Sequence, residues 1–462
     1  MIRHSWLFSF ACMFIALPLL AAEPAKKPNI IVIVADDLGY ADIGCHGSKD
    51  IPTPHIDSLA KNGVRCTNGY VSGPYCSPTR AGLFTGRYQQ RFGHEFNPGP
   101  PSNATIEVGL SLAEQTMSQR LKTAGYVTGM VGKWHLGHAE KFNPVSRGFD
   151  EFFGFLGGAH SYVQAAQANN PIMRGLKSVD EKEYLTHAFS REAVAFVDRH
   201  KSEPFFLYYA FNAVHTPMQA LDKYKDRFAS ISNDKRRTYA AMLSAMDDAI
   251  GALLTKLRSE KLEENTLLFF ISDNGGPENA NASDNGPFRG QKAQTWEGGI
   301  HVPYIVQWKA KLPAGKTFDH PVIQLDILPT ALAAANATPE GKDNLDGVNL
   351  LPYLDSSKTG APHDALYWRF GAQLAIRMGD YKLVKAPNGG GVVAGQNQGK
   401  ASLDGAQLYN LAKDIGETTN LADKEPEKFK ELAVAWQKWN SELADAKWRP
   451  AAAAGKNKKK KK

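Results

Sequence analysis

Residues 29–35 read Asn-Ile-Ile-Val-Ile-Val-Ala, five consecutive β-branched side chains with no charge among them. Such a run offers no polar face to water, and its length is that of a strand. It suits a strand covered on both sides, the situation of a parallel sheet between helices. Comparable runs recur at 126–131, 205–211 and 266–272. Helical periods stand between them at 111–124 (closed by Gly125), 191–199 and 236–258. The alternation predicts an α/β fold: a large, mixed, mainly parallel sheet sandwiched by helices. From about residue 360 the pattern changes to short apolar runs at 365–370, 374–378 and 381–385, split by glycine-containing turns. A Gly-rich stretch at 388–399 reads as a loop, and 426–444 reads as a closing helix. A smaller C-terminal antiparallel sheet plus helix is expected there. With 462 residues the chain is long for one domain, so we expect a main domain over 23–358 and an α+β subdomain over 359–450.

The chain ends carry different information. Arg3 and His4 precede an apolar run at 6–17, then Pro18 and small residues at Ala21 and Ala22. This is the pattern of a signal peptide over 1–22 and predicts a secreted or periplasmic protein. The run is short for a bilayer and no later one is long enough, so no stable membrane span is expected. The formal charge is +7, but six of these charges are lysines among the last seven residues and another is Arg3. The body is therefore balanced, and 451–462 reads as a disordered Lys-rich tail. A nucleic-acid partner would need a basic folded face, which the sequence does not offer. Cys12 leaves with the signal, and Cys45, Cys66 and Cys76 remain. An odd number leaves at least one sulfur outside any intrachain disulfide.

Ligands of parallel sheets gather beyond the carboxyl ends of the strands. Here those ends carry Asp36 and Asp37, Lys133 and His135, His215, and Asp273 with Asn274. Asp36, Asp37, Asp273 and Asn274 form an all-oxygen donor set, which favours a hard cation over zinc. Asp and Asn beside glycine are also ordinary turn residues. Arg80, Lys133, His135, His215 and Lys292 make up a cationic group suited to stabilising charge on an oxyanion.

Cys76-Ser77-Pro78-Thr79-Arg80 is a C-x-P-x-R motif, followed by Leu83-Phe84-Thr85-Gly86-Arg87. With the strand-end residues above, the chain resembles the type I formylglycine-dependent sulfatases, arylsulfatase-like members of the alkaline phosphatase superfamily. The resemblance runs from Asn29 to about Leu354 and more weakly to the C-terminal helix. It implies an alkaline phosphatase-like fold and oxidation of Cys76 to formylglycine (3-oxoalanine) by a formylglycine-generating enzyme. The hydrated aldehyde is a geminal diol. One hydroxyl attacks sulfur in line and expels the alcohol; the other then loses its proton, and re-forming the carbonyl expels sulfate. The resemblance also makes calcium, ahead of magnesium, the expected metal, held by Asp36, Asp37, position 76, Asp273 and Asn274. It assigns Arg80 to orienting position 76 and supporting the metal ligands, and Lys133 to sulfate. His135 would be the base for sulfate release. His215 and Lys292 would bind sulfate and protonate the leaving alcohol. A small polar residue after Gly148-Phe149-Asp150 would face the sulfate, either His160 or Ser161, and 91–95 is a candidate pocket lining.

The expected substrate is a sulfated carbohydrate or a small sulfate ester. Two alternatives stay open on the sequence. One is a formylglycine-dependent phosphonate monoester or phosphodiester hydrolase, since phosphate and sulfate esters share their geometry. The other is a non-catalytic carbohydrate-binding protein on the same scaffold, with Cys76 a plain buried thiol or a disulfide partner.

Overall fold

The computed structural model describes residues 2, 26–100, 102, 106–163, 169–337, 344–387 and 399–449. At its centre lies the strand Asn29–Ala35, buried along its whole length. It pairs in parallel with Phe205–Ala210 on one side and Thr266–Ser272 on the other. The full order of this ten-stranded sheet is Lys316–Phe318, Val64–Cys66, Tyr304–Gln307, Thr266–Ser272, Asn29–Ala35, Phe205–Ala210, Val127–Lys133, Glu151–Phe155, Met173–Arg174 and Lys177–Ser178. The run from Thr266–Ser272 to Glu151–Phe155 is parallel, while Tyr304–Gln307 and the Met173–Arg174 edge are antiparallel. The sheet is thus mixed and mainly parallel, as the alternation of strand and helix predicts.

Alternate side chains of the central strand enter different cores. Ile31 and Ile33 face a cluster built with the helices Leu185–His200 and Asp234–Ser259. Ile30, Val32 and Val34 face the helices Cys76–Thr85, Met117–Thr123 and Ile327–Ala334. Two helical boundaries differ from the periodicity. The helix expected over 111–124 begins only at Met117, because Thr116 closes a capping box with Gln119. The helix expected at 191 begins at Leu185, whose turn buries Leu185, Ala188 and Phe189.

Register sets the height of the strand ends. Ala35 stands opposite Ser272, Val34 opposite Ala210, and Ala210 also opposite Gly132. Asp36 and Asp273 therefore leave the sheet at one level, with Lys133 one residue below them.

The C-terminal part is a four-stranded antiparallel meander of Leu366–Phe370, Gln373–Met378, Tyr381–Lys385 and Gln407–Asn410. Its last strand was not expected. Helix Pro426–Ser441 packs on it through Leu432, Trp436 and Trp439. This core is shared with the main body, since Tyr70, Tyr88, Trp296 and Ile323 belong to it. The expected loop at 388–399 lies outside the described residues except for Gly399, as do the tail 451–462 and, apart from Ile2, the segment 1–22. Among the described residues no helix is long and apolar enough to cross a membrane. Cys45, Cys66 and Cys76 are all free thiols.

Candidate active site

Cys76 is the first residue of a ten-residue helix in which every side chain is buried. Its Sγ lies 3.7 Å from Asp36 Oδ1. Burial pushes the Cys76 thiol up to about 12, although Lys133 and Lys292 pull it down. That shift favours the protonated thiol over the thiolate.

One turn further along the helix, Arg80 is wholly buried. Its Nε and Nη2 donate to Asp273 Oδ2 at 3.0 and 2.8 Å, and its Nη1 donates to the Lys133 carbonyl at 2.8 Å. One guanidinium thus ties the Cys76 helix to two strand ends. Lys133 Nζ donates to Asp36 Oδ2 at 2.5 Å, and Lys292 Nζ to Asp37 Oδ1 at 2.6 Å. Burial and the neighbouring Asp273 and Asp37 push the Asp36 carboxyl up, against Lys133 and Arg80. Burial acts the same way on Asp37, but Lys292, His215 and Lys133 outweigh it and hold that carboxyl low.

Asp36, Asp37, Asp273 and Asn274 lie side by side beyond the strand ends. The Asp37 N–H donates to Asp273 Oδ1 at 3.3 Å, and Asn274 Nδ2 donates to Asp37 Oδ1 at 2.8 Å. Asn274 Oδ1 is buried with no hydrogen-bond partner. An orphaned amide oxygen beside three carboxylates is a fit for a hard cation, which takes oxygen donors. Asp36, Asp37, Cys76 and His215 each offer an atom within 4.8 Å of the others. His215 thus reaches the acidic set, with Nε2 3.5 Å from Asp37 Oδ2 and Nδ1 2.6 Å from the Thr216 carbonyl.

His135 sits at φ 62°, the left-handed region. Its carbonyl accepts from Ser77 Oγ at 2.6 Å, and that hydroxyl stands 2.7 Å from His94 Nε2. The serine proton being spent on His135, the network assigns His94 Nε2 as donor. Burial, with Lys133 and Arg80 adding, holds His135 well below the usual histidine range, so its imidazole is neutral.

Tyr75, Cys76, His135, His215 and Lys292 line a cleft of about 400 Å³, whose outer wall is Asn97, Pro98, Gly99, Pro100, His138, Asn169 and Asn170. Gly157, Gly158 and Ala159 contribute to it, but neither residue expected from that segment does. His160 turns to the Phe155 ring and Ser161 Oγ donates to Gln219. The stretch 91–95 also departs from expectation. Arg91 pairs with Asp346 and Glu442, and Glu95 with Arg369, so these side chains brace the C-terminal part. Asn97, His138 and Asn170 escaped the sequence reading, since single polar residues in loops carry no spacing signal.

The family model for sulfatases matches residues 28–337. Human N-acetylgalactosamine-6-sulfatase (Homo sapiens) is 34% identical over 386 residues, covering 78% of this chain and 72% of that protein. The crystal structure of Ps i-CgsB in complex with k-i-k-neocarrahexaose superposes with a TM-score of 0.83 at 39% identity, covering 92% of this chain and 95% of that one. The PsFucS1 sulfatase from Pseudoalteromonas sp. superposes at 0.77 with 25% identity, covering 90% of both chains.

Proposed function

The chain belongs to the sulfatase family, whose members hydrolyse sulfate esters on an alkaline phosphatase-like fold, and we propose that it is an exported enzyme acting on sulfated carbohydrates with a formylglycine made from Cys76 and one calcium ion. The observation that carries this reading is the setting of position 76. It lines the cleft, buried against the acidic set and near two buried lysines. These surroundings suit an oxygen nucleophile and an anionic substrate; they do nothing for a thiol.

Hydrated formylglycine supplies a geminal diol, one hydroxyl to attack sulfur and one to permit later release of sulfate. Asp36, Asp37, Asp273, Asn274 and the modified position 76 would hold the calcium, whose positive charge would acidify the attacking hydroxyl and offset charge on the sulfate oxygens. The remaining work falls to this chain's own groups. Arg80 fixes Asp273 and the strand end of Lys133. Lys133 and Lys292 hold the peripheral sulfate oxygens and offset the charge that develops there. Lys292, on the cleft wall beside His215, carries the proton that the departing alcohol oxygen takes up. His135, which lines the cleft with position 76, would accept the proton that leaves there as sulfate departs.

Sulfated carbohydrate is favoured over small aryl esters by the cleft, which is open and lined with Asn97, His138 and Asn170, groups that hydrogen-bond sugar hydroxyls. The two relatives named for N-acetylgalactosamine 6-sulfate and bound to a neocarrahexaose point the same way. Residues 1–22 are read as the export signal, 23–358 as the catalytic unit and 359–450 as its C-terminal subdomain, with a formylglycine-generating enzyme as the maturation partner. Mass spectrometry of the peptide holding position 76, from cells that carry such an enzyme, tests the nucleophile. The expected product has CHO in place of CH2SH, and Cys76→Ala abolishes sulfate release from sulfated oligosaccharides. An active enzyme with an intact thiol would falsify the mechanism; activity confined to aryl sulfates would overturn the substrate class.

A further inference from the structure

The backbone beneath Lys292 follows a course that its own sequence does not favour. Ala293, the next residue, sits at φ 63°, where a Cβ is crowded, so outside contacts must hold it. Two do. Its N–H donates to the Pro74 carbonyl at 2.6 Å, just ahead of Tyr75 and Cys76. Its carbonyl accepts from Gln373 Nε2 at 2.9 Å, while Gln373 Oε1 accepts from the Thr295 N–H at 3.0 Å. One buried amide thereby does what a neighbouring strand would do, giving and taking one hydrogen bond two residues apart. Gln373 is the first residue of the strand Gln373–Met378 in the C-terminal sheet.

The rest of the segment is held from the same side. Thr295 Oγ1 donates to the Leu374 carbonyl at 3.2 Å, and Trp296 Nε1 to the Pro387 carbonyl at 3.1 Å. The Glu297 N–H donates to Glu417 Oε2 at 2.8 Å. We propose that Gln373 is a positioning residue for Lys292, through which the C-terminal sheet aims that ammonium at Asp37 and the cleft. The proposal rests on the reading of Lys292 as a sulfate-binding cation. It makes the C-terminal sheet part of the construction of the active site.

The test is a double-mutant cycle on the full-length, modified, calcium-loaded protein, with inorganic sulfate as the probe and calorimetry as the measurement. Lys292→Ala weakens sulfate binding. Gln373→Leu weakens it about tenfold, the scale of losing a buried hydrogen-bond partner. Gln373→Leu adds no further loss in the Lys292→Ala background. Independent, additive losses would show that Gln373 acts elsewhere and would overturn the proposal. So would unchanged binding in Gln373→Leu beside weakened binding in Lys292→Ala. Unchanged binding in Lys292→Ala would instead remove the reading of Lys292 itself, and this proposal with it. Should Gln373→Leu not fold, Gln373→Glu enters the same cycle with the same expectation, since it keeps the Thr295 bond and loses the Ala293 one.

Discussion

Arg80 is the side chain on which most of the site converges, and its chemistry cannot be supplied by another cation. Its planar fork meets Asp273 through two nitrogens and the Lys133 carbonyl through a third, wholly buried from solvent. A lysine keeps the charge but presents a single point donor. Arg80→Lys leaves Asp273 partly unpaired in the interior, and breaking a buried pair in this way costs about 3 kcal/mol or more. We expect an unfolding free energy lower by that amount and a fall in kcat of at least about tenfold. Urea titration and steady-state kinetics measure the two; wild-type values in both would contradict the role given to the fork. Arg80 was legible in the sequence because C-x-P-x-R is a dense, ordered motif. Gln373 was not: a lone glutamine after Gly371 and Ala372 carries no spacing, and its meaning depends on a segment some eighty residues away.

The element that controls the height of Lys133 is the strand Val127–Lys133, and one residue in it admits no substitute. Gly132 adopts φ 116° with its neighbours Ala210 and Gly154 closed up on either side. A Cβ there would stand 1.7 Å from the Ala210 carbonyl oxygen. Gly132→Ala must therefore spread the sheet at the point where Lys133 leaves it for Asp36. The mechanisms of backbone strain and lost packing act together, so a stability loss above about 3 kcal/mol is expected, with sulfatase activity lost in whatever protein remains folded. Denaturant unfolding and sulfate release read the outcome, and a stable, active Gly132→Ala enzyme would refute the close approach. The strand itself was evident from its apolar run. Its glycine was not distinguishable from a turn residue until the parallel partners were known.

Among the described residues, histidines that burial pushes down outnumber those raised by an acidic partner, and this sets the response to acid. Burial, with Lys447 adding, pushes His94 down to about 3. Burial also lowers His301, against the opposing Glu297. In the unfolded chain each titrates near about 6.5, so below that pH the unfolded state binds protons that the folded state does not. Stability contributed by these groups is complete above about 6.5 and falls as pH drops toward their folded values. For His94 the slope is about 1.4 kcal/mol per pH unit. His363 works in the other sense: burial lowers it, but Asp326 prevails and raises it, so its contribution is lost as pH rises through that raised value. Urea midpoints between pH 7 and pH 4.5 should fall on acidification, and His94→Gln should flatten the slope. An identical profile in that variant would rule out the neutral buried ring as a cause.

What the amino-acid order determined alone was the periodicity of the elements, the C-x-P-x-R motif and the placing of acids and cations at four strand ends. These are local properties, written in consecutive residues and their spacing. The tertiary structure decided which loops become walls. It sent Arg91 and Glu95 to brace the C-terminal sheet, turned His160 and Ser161 off the cleft, and brought Asn97, His138 and Gln373 to the site. Those outcomes depend on register between distant strands and on the docking of one sheet against another, so no window of sequence contains them.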